Sequence, residues 1–104
     1  MRRAVSWSRE ALDDLKEQVE YVAADNPRAA EGISQRILQT AKLLGAIATG
    51  RRGRSAGTYE KSISGLPYVL AYEIIGDPAG ETISILRVIH TSRNWPPEGW
   101  PDDA

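Results

Sequence analysis

The chain has 104 residues and a mass of 11.4 kDa, enough for one hydrophobic core but not two, so residues 1–104 read as a single domain. With 41% hydrophobic and 26% charged residues it is an ordinary globular composition, which excludes a mainly disordered or fibrous chain; no apolar run approaches the ~18 residues of a membrane helix or forms a signal segment after Met1-Arg2-Arg3, so a cytoplasmic protein is expected. Zero cysteine excludes disulfides, thiolate metal sites and cysteine nucleophiles, a single histidine with scattered carboxylates argues against a zinc cage, and no metal or cofactor is expected.

Ala4-Val5-Ser6-Trp7 is short and apolar, with Trp7 expected in the core, and Ser8 is placed to cap a helix opening at Arg9. Ala11, Leu12, Leu15, Val19 and Val22 recur every three or four residues, so they share one face of that helix, with Asp13, Asp14, Lys16, Glu17 and Glu20 mostly elsewhere. Asp25-Asn26-Pro27 ends it and starts another, because the residue before proline leaves the helical region and proline suits a first turn. Ala30, Ile33, Ile37, Ala41 and Leu44 then mark the inner face of the second helix, with Gly45 as its expected stop. So short a link makes the two helices an antiparallel hairpin.

The net charge of −1 conceals a partition. Residues 9–31 carry seven carboxylates against three cations, whereas residues 32–61 carry Arg36, Lys42, Arg51, Arg52, Arg54 and Lys61 against Glu60 alone. The basic block is centred on Gly50–Gly57, which is too rich in glycine and too poor in apolar residues for a regular element and reads as a loop. Beyond it the period becomes two. Residues 58–63, 68–75 and 82–90 read as an antiparallel meander separated by turn-forming clusters, with 82–90 apolar on both faces yet carrying Arg87. Residues 91–104, with Trp95-Pro96-Pro97 and Trp100-Pro101, read as an extended tail docked by its indoles. The expectation is an α+β fold in β-α-α-β-β-β order: an N-terminal strand and an antiparallel helical hairpin packed on a three- to four-stranded antiparallel sheet.

Several blocks in this order carry a resemblance. Trp7–Leu15, Asn26-Pro27-Arg28-Ala29-Ala30, Gly50-Arg51 through Gly57-Thr58-Tyr59-Glu60, Leu66-Pro67-Tyr68-Val69-Leu70-Ala71-Tyr72 and Ile85 through Arg93-Asn94-Trp95-Pro96 together resemble the RelE/ParE superfamily of small bacterial toxins, and its ParE branch in particular. The resemblance implies a RelE/ParE-like fold and a toxin encoded beside an antitoxin that wraps and neutralises it in a toxin–antitoxin hetero-oligomer. ParE-like members are associated with DNA gyrase and replication arrest and would be paired with a ParD-like antitoxin. RelE-like members cleave mRNA on the ribosome.

Candidate residues serve these readings differently. Arg51, Arg52 and Arg54 suit phosphate, nucleic acid or the acidic surface of an antitoxin, because guanidinium forks match phosphate and carboxylate geometry; the plainer reading is a solvated loop. For a metal-independent endoribonuclease, Arg51, Arg54 and Arg87 would hold the phosphate and His90 would act as acid or base, with Arg93 as a further phosphate ligand. Arg87 and His90 lie three apart on a strand, so they share a pocket only if a bulge re-aims one of them. The alternative places Arg87 in the core, paired with Glu60 or Glu73, and His90 in a structural hydrogen bond. Tyr59, Tyr68 and Tyr72 are either base-stacking platforms or half-buried sheet residues, and Trp95 and Trp100 either clamp the tail or anchor a partner. The favoured expectation has no catalytic residue: a binding poison of gyrase that meets its partners through Arg51, Arg52, Arg54, Tyr59, Arg93, Trp95 and Trp100. A third reading is a non-toxic superfamily member acting in a regulatory complex.

Overall fold

The computed structural model describes residues 3–77 and 80–91, the side chain of Asp77 excepted. Its elements run β1 (Ala4–Trp7), α1 (Arg9–Ala23), α2 (Pro27–Ala46), β2 (Arg51–Arg52), β3 (Tyr59–Ser62), β4 (Tyr68–Asp77) and β5 (Gly80–His90). The five strands form one sheet in the order β1-β5-β4-β3-β2, in which β1 runs parallel to β5 and the other pairings are antiparallel. The α+β class is the expected one. The sheet is larger and mixed because β1 joins β5 across both helices and three strands, a connection long enough to return the chain in the same direction, and because the basic segment contributes β2.

Local chemistry sets the helix ends. Ser8 Oγ accepts the Ala11 N–H at 3.0 Å and Asn26 Oδ1 accepts that of Ala29 at 3.1 Å, with Pro27 in the first turn of α2. Gly45 is not the stop: α2 continues to Ala46, and the Gly45 carbonyl accepts the Arg3 N–H at 2.7 Å, tying the start of β1 to the end of α2. No described helix is long and apolar enough to cross a membrane.

The main core lies between the helical hairpin and one face of the sheet, joining Ala11, Ile37, Ala41 and Leu44 to Leu70, Tyr72, Ile83, Ile85 and Val88, with Trp7 packed against it. Alternation sends Val69, Ala71 and Ile89 to the opposite face, where they form a second buried cluster. The inner face of α1 departs from expectation, since Leu12 is 49% exposed while Gln18 is buried. Gln18 Oε1 has no hydrogen-bond partner among the described residues. An unmet buried acceptor costs stability, so Gln18→Met, of similar volume, is expected to raise the unfolding free energy by about 1 kcal/mol in urea titrations.

Candidate functional site

β1 ends at Trp7, opposite Ile85, and the outer edge of β5 beyond that point is completed by α1. The Ser8 N–H donates to the Ile85 carbonyl and the Ser8 hydroxyl to the Leu86 carbonyl, both at 2.9 Å, so the residue that caps the helix also extends the sheet. Here β5 bulges: Tyr72 of β4 faces Ile85 and Ala71 faces Arg87, leaving Leu86 as the extra residue. One turn into α1, Asp14 receives the Val88 N–H at 3.0 Å and the Arg87 guanidinium through Nε at 2.8 Å and Nη2 at 3.0 Å. The expected partners Glu60 and Glu73 are therefore replaced by Asp14, a residue whose spacing had placed it on the solvated face. The Asp14 hydrogen bond holds the guanidinium pKa above its ordinary value; burial opposes this, and the charges of Asp14, Glu10 and Glu17 reinforce it.

The bulge precedes Arg87, and from Arg87 to His90 the pairing with β4 is regular. Arg87 stands opposite Ala71 and His90 opposite Tyr68, so the two side chains leave the strand on opposite faces. His90 meets the Tyr68 ring edge-on at 5.3 Å between centroids. Tyr68 and Tyr72 are buried in the main core and offer no base-stacking platform, whereas Tyr59 is half-buried and stacks on Tyr72 at 5.5 Å.

The basic segment is a folded hairpin and not the irregular loop expected. Arg51 pairs with Glu60 and Arg52 with Tyr59. The reversal between them is closed by Gly53 N–H to the Thr58 carbonyl at 2.9 Å and by the Thr58 hydroxyl to the Ser55 carbonyl at 2.6 Å. Glu60, only 5% exposed, receives both the backbone N–H and the Nε of Arg54 on one carboxylate oxygen, each at 2.9 Å. Arg51 and Arg52 remain exposed on β2, a short cationic strip at the edge of the sheet. Sequence reasoning missed this clamp, although a single carboxylate inside a cationic block was its visible signal.

Burial pushes the Glu60 carboxyl up, but the Arg54 hydrogen bonds, side chain and backbone, and the charges of Arg54 and Arg51 outweigh it and hold the pKa below the usual value. Since the folded pKa is the lower one, the stabilisation is fully present above the ordinary 4.5 and is lost as pH falls through the folded value. Glu60→Gln is expected to be less stable than the wild type at neutral pH and to converge with it in acid, as followed by urea unfolding over a pH series.

Of the expected partner-binding set, Arg51, Arg52, Arg54 and Tyr59 thus gather at the β2–β3 end of the sheet, while Arg93, Trp95 and Trp100 lie outside the described residues, as does nearly all of the expected extended tail. The four residues of the nuclease alternative do not converge: Arg51 and Arg54 flank Glu60, Arg87 is held by Asp14, and His90 faces the other side of β5.

Comparison with known proteins agrees with this architecture. The "Chromosomal ParDE TA system from P. aeruginosa" includes a chain that superposes with a TM-score of 0.78 at 22% identity, over 88% of this chain and 98% of that one. A chain of the RelBE2 toxin–antitoxin complex of Mycobacterium tuberculosis gives 0.58 at 23% identity, over 89% and 95%, and the YoeB/ParE toxin from Agrobacterium tumefaciens 0.53 at 14%, over 84% and 97%. At these identities the likeness is one of fold. In sequence, the chain is 33% identical over 96 residues to the Sinorhizobium fredii protein named "Putative toxin Y4kP", covering 91% of this chain and 95% of that one. Residues 5–95 match the family model described as "ParE toxin of type II toxin-antitoxin system, parDE", and the chain belongs to that ParE toxin family.

Proposed function

We propose that this chain is the toxin of a type II pair that arrests bacterial growth by binding DNA gyrase, and that a ParD-like antitoxin, bound to it in a cytoplasmic hetero-oligomer, keeps it inactive. The observation that supports adhesion over RNA cleavage is the way its arginines are spent. Arg54 and Arg87 are engaged by Glu60 and Asp14, and His90 leaves β5 on the face opposite Arg87. A nuclease needs a proton carrier and a phosphate holder converging on one phosphate. A binding poison needs only a fixed complementary surface, which the Arg51–Arg52 strip and the half-buried Tyr59 supply.

Induced expression in bacteria is the test. Filamentation with DNA-damage signalling, while protein synthesis continues, is the expected result, and His90→Ala is expected to leave it unchanged. Immediate loss of protein synthesis with cut mRNA would transfer the function to the ribosome, and unimpeded growth would leave a complex-forming, non-toxic protein.

A further inference from the structure

β3 has an open edge beside an apolar groove. The Ile63 N–H donates to the Tyr68 carbonyl at 3.0 Å, so alternation turns the backbone groups of Lys61 towards β4 and those of Glu60 and Ser62 outward. Glu60 meets Arg51 of β2. The residue that would continue this register opposite Ser62 is Thr49, but there the chain has left the ladder. Gly50, at φ +128°, lies so close to β3 that a Cβ would stand 2.6 Å from the Glu60 carbonyl oxygen. Thr49 turns its own carbonyl inward to accept the Tyr72 hydroxyl at 2.6 Å. Among the described residues, no strand covers β3 at Ser62.

Next to this edge, the last turns of α2 and Thr49 bound a groove of about 410 Å3, lined by Leu43, Leu44 and Ile47 on one side and Lys61 and Ser62 on the other. Leu43 and Ile47 are 55% and 68% exposed, unusual for large adjacent apolar side chains. At Thr40 and Ser64 the groove continues into a polar cleft that includes Arg36. Among the described residues, no acidic side chain lines either, and each carries one cation, Arg36 in the cleft and Lys61 in the groove. Unpaired strand backbone, apolar pockets beside it and flanking positive charge together fit an extended segment in which apolar and acidic residues alternate. A helix would cover Leu43 and Ile47 but leave the backbone of Ser62 unmet.

We propose that the β3 edge at Ser62 and the Leu43–Ile47 groove hold an extended, apolar and acidic segment of the antitoxin by strand addition, a proposal that rests on the toxin–antitoxin reading above. The segment adds a strand outside β3, seats apolar side chains against Leu43 and Ile47, and directs carboxylates to Lys61 and Arg36.

The test titrates the full-length product of the reading frame adjacent to this chain's gene into the full chain. Ile47→Glu and Ser62→Pro are each expected to weaken binding about tenfold or more, while Ile75→Glu, exposed on β4, changes it less than about twofold. In the wild-type complex the Ser62 amide is expected to exchange at least about tenfold more slowly than in the free chain. Should Ser62→Pro fail to fold, Ile47→Glu and the wild-type amide carry the test. Full affinity in Ile47→Glu, or a Ser62 amide unprotected in the complex, would overturn strand addition at this edge and leave the toxin–antitoxin reading standing. A homodimer broken by Ile47→Glu would assign the groove to a second copy and overturn it too. If the wild-type chain binds nothing from the adjacent frame, the toxin–antitoxin reading falls and takes this proposal with it.

Discussion

Asp14→Ala is expected to lower the unfolding free energy by about 3 kcal/mol, a large loss for a substitution on a helix surface. The change removes one carboxylate but breaks the hydrogen bonds it receives from Arg87 Nε, Arg87 Nη2 and the Val88 N–H. What changes is the setting of a mostly buried arginine side chain, 17% exposed in the wild type, and of a Val88 amide that no strand among the described residues pairs on that edge. The penalty falls at the low end for a broken buried pair because both side chains keep some contact with water. Arg87→Met is expected to cost less, about 1–2 kcal/mol, since Asp14 still receives the Val88 amide and methionine keeps the aliphatic packing. Urea unfolding of both variants checks this, and a loss below about 1 kcal/mol in Asp14→Ala would show that α1 is not latched to β5 through this residue. The pair also bears on function. A binding poison with Arg87→Met arrests growth in proportion to its folded fraction, whereas a nuclease loses activity with the fold intact.

Tyr72→Ala is expected to cost more, about 4 kcal/mol, out of a total stability of roughly 5–15 kcal/mol for a domain of this size. Tyr72 is 1% exposed, stacks on Tyr59 and holds the Thr49 carbonyl through its hydroxyl, so one ring ties β4, β3 and the end of the helical hairpin together. Tyr72→Phe keeps the ring and loses only the hydrogen bond, for about 1 kcal/mol. Chemical unfolding separates the two contributions. Burial pushes the Tyr72 phenol up, the neighbouring Tyr59 adds to the shift, and Arg3 opposes it. With the folded pKa the higher one, this contribution is fully present below the ordinary 10.0 and is lost as pH rises through the folded value, an alkaline dependence absent from Tyr72→Phe.

The helix starts were legible because capping is local chemistry: Ser8 and Asn26-Pro27 act within three residues of themselves. The meander was legible because period-two alternation survives wherever a sheet covers one face, and its strands begin and end within about two residues of the expected positions. β2 was not, since two arginines carry no period and become a strand only because β3 offers Glu60 and Tyr59 opposite them. Leu12, expected on the inner face of α1, is exposed and Gln18 is buried instead, because periodicity identifies a face only to within the width of a side chain, and the angle at which the helix crosses the sheet decides which residue is covered.

Composition, caps and alternation, taken from the amino-acid order alone, determined the class of fold, the run of helices and strands, and the resemblance to ParE toxins that the match over residues 5–95 bears out. The tertiary structure decided which carboxylate meets which arginine. Asp14 and Arg87 are 73 positions apart, and nothing near either one in the chain separates Asp14 from the other acids of its helix. Their meeting depends on α1 taking over the outer edge of β5 where β1 ends, just as the open edge at Ser62 depends on Thr49 turning to Tyr72. Local sequence governs torsion angles and hydrogen bonds within a few residues, whereas contacts between distant elements follow from how whole faces pack.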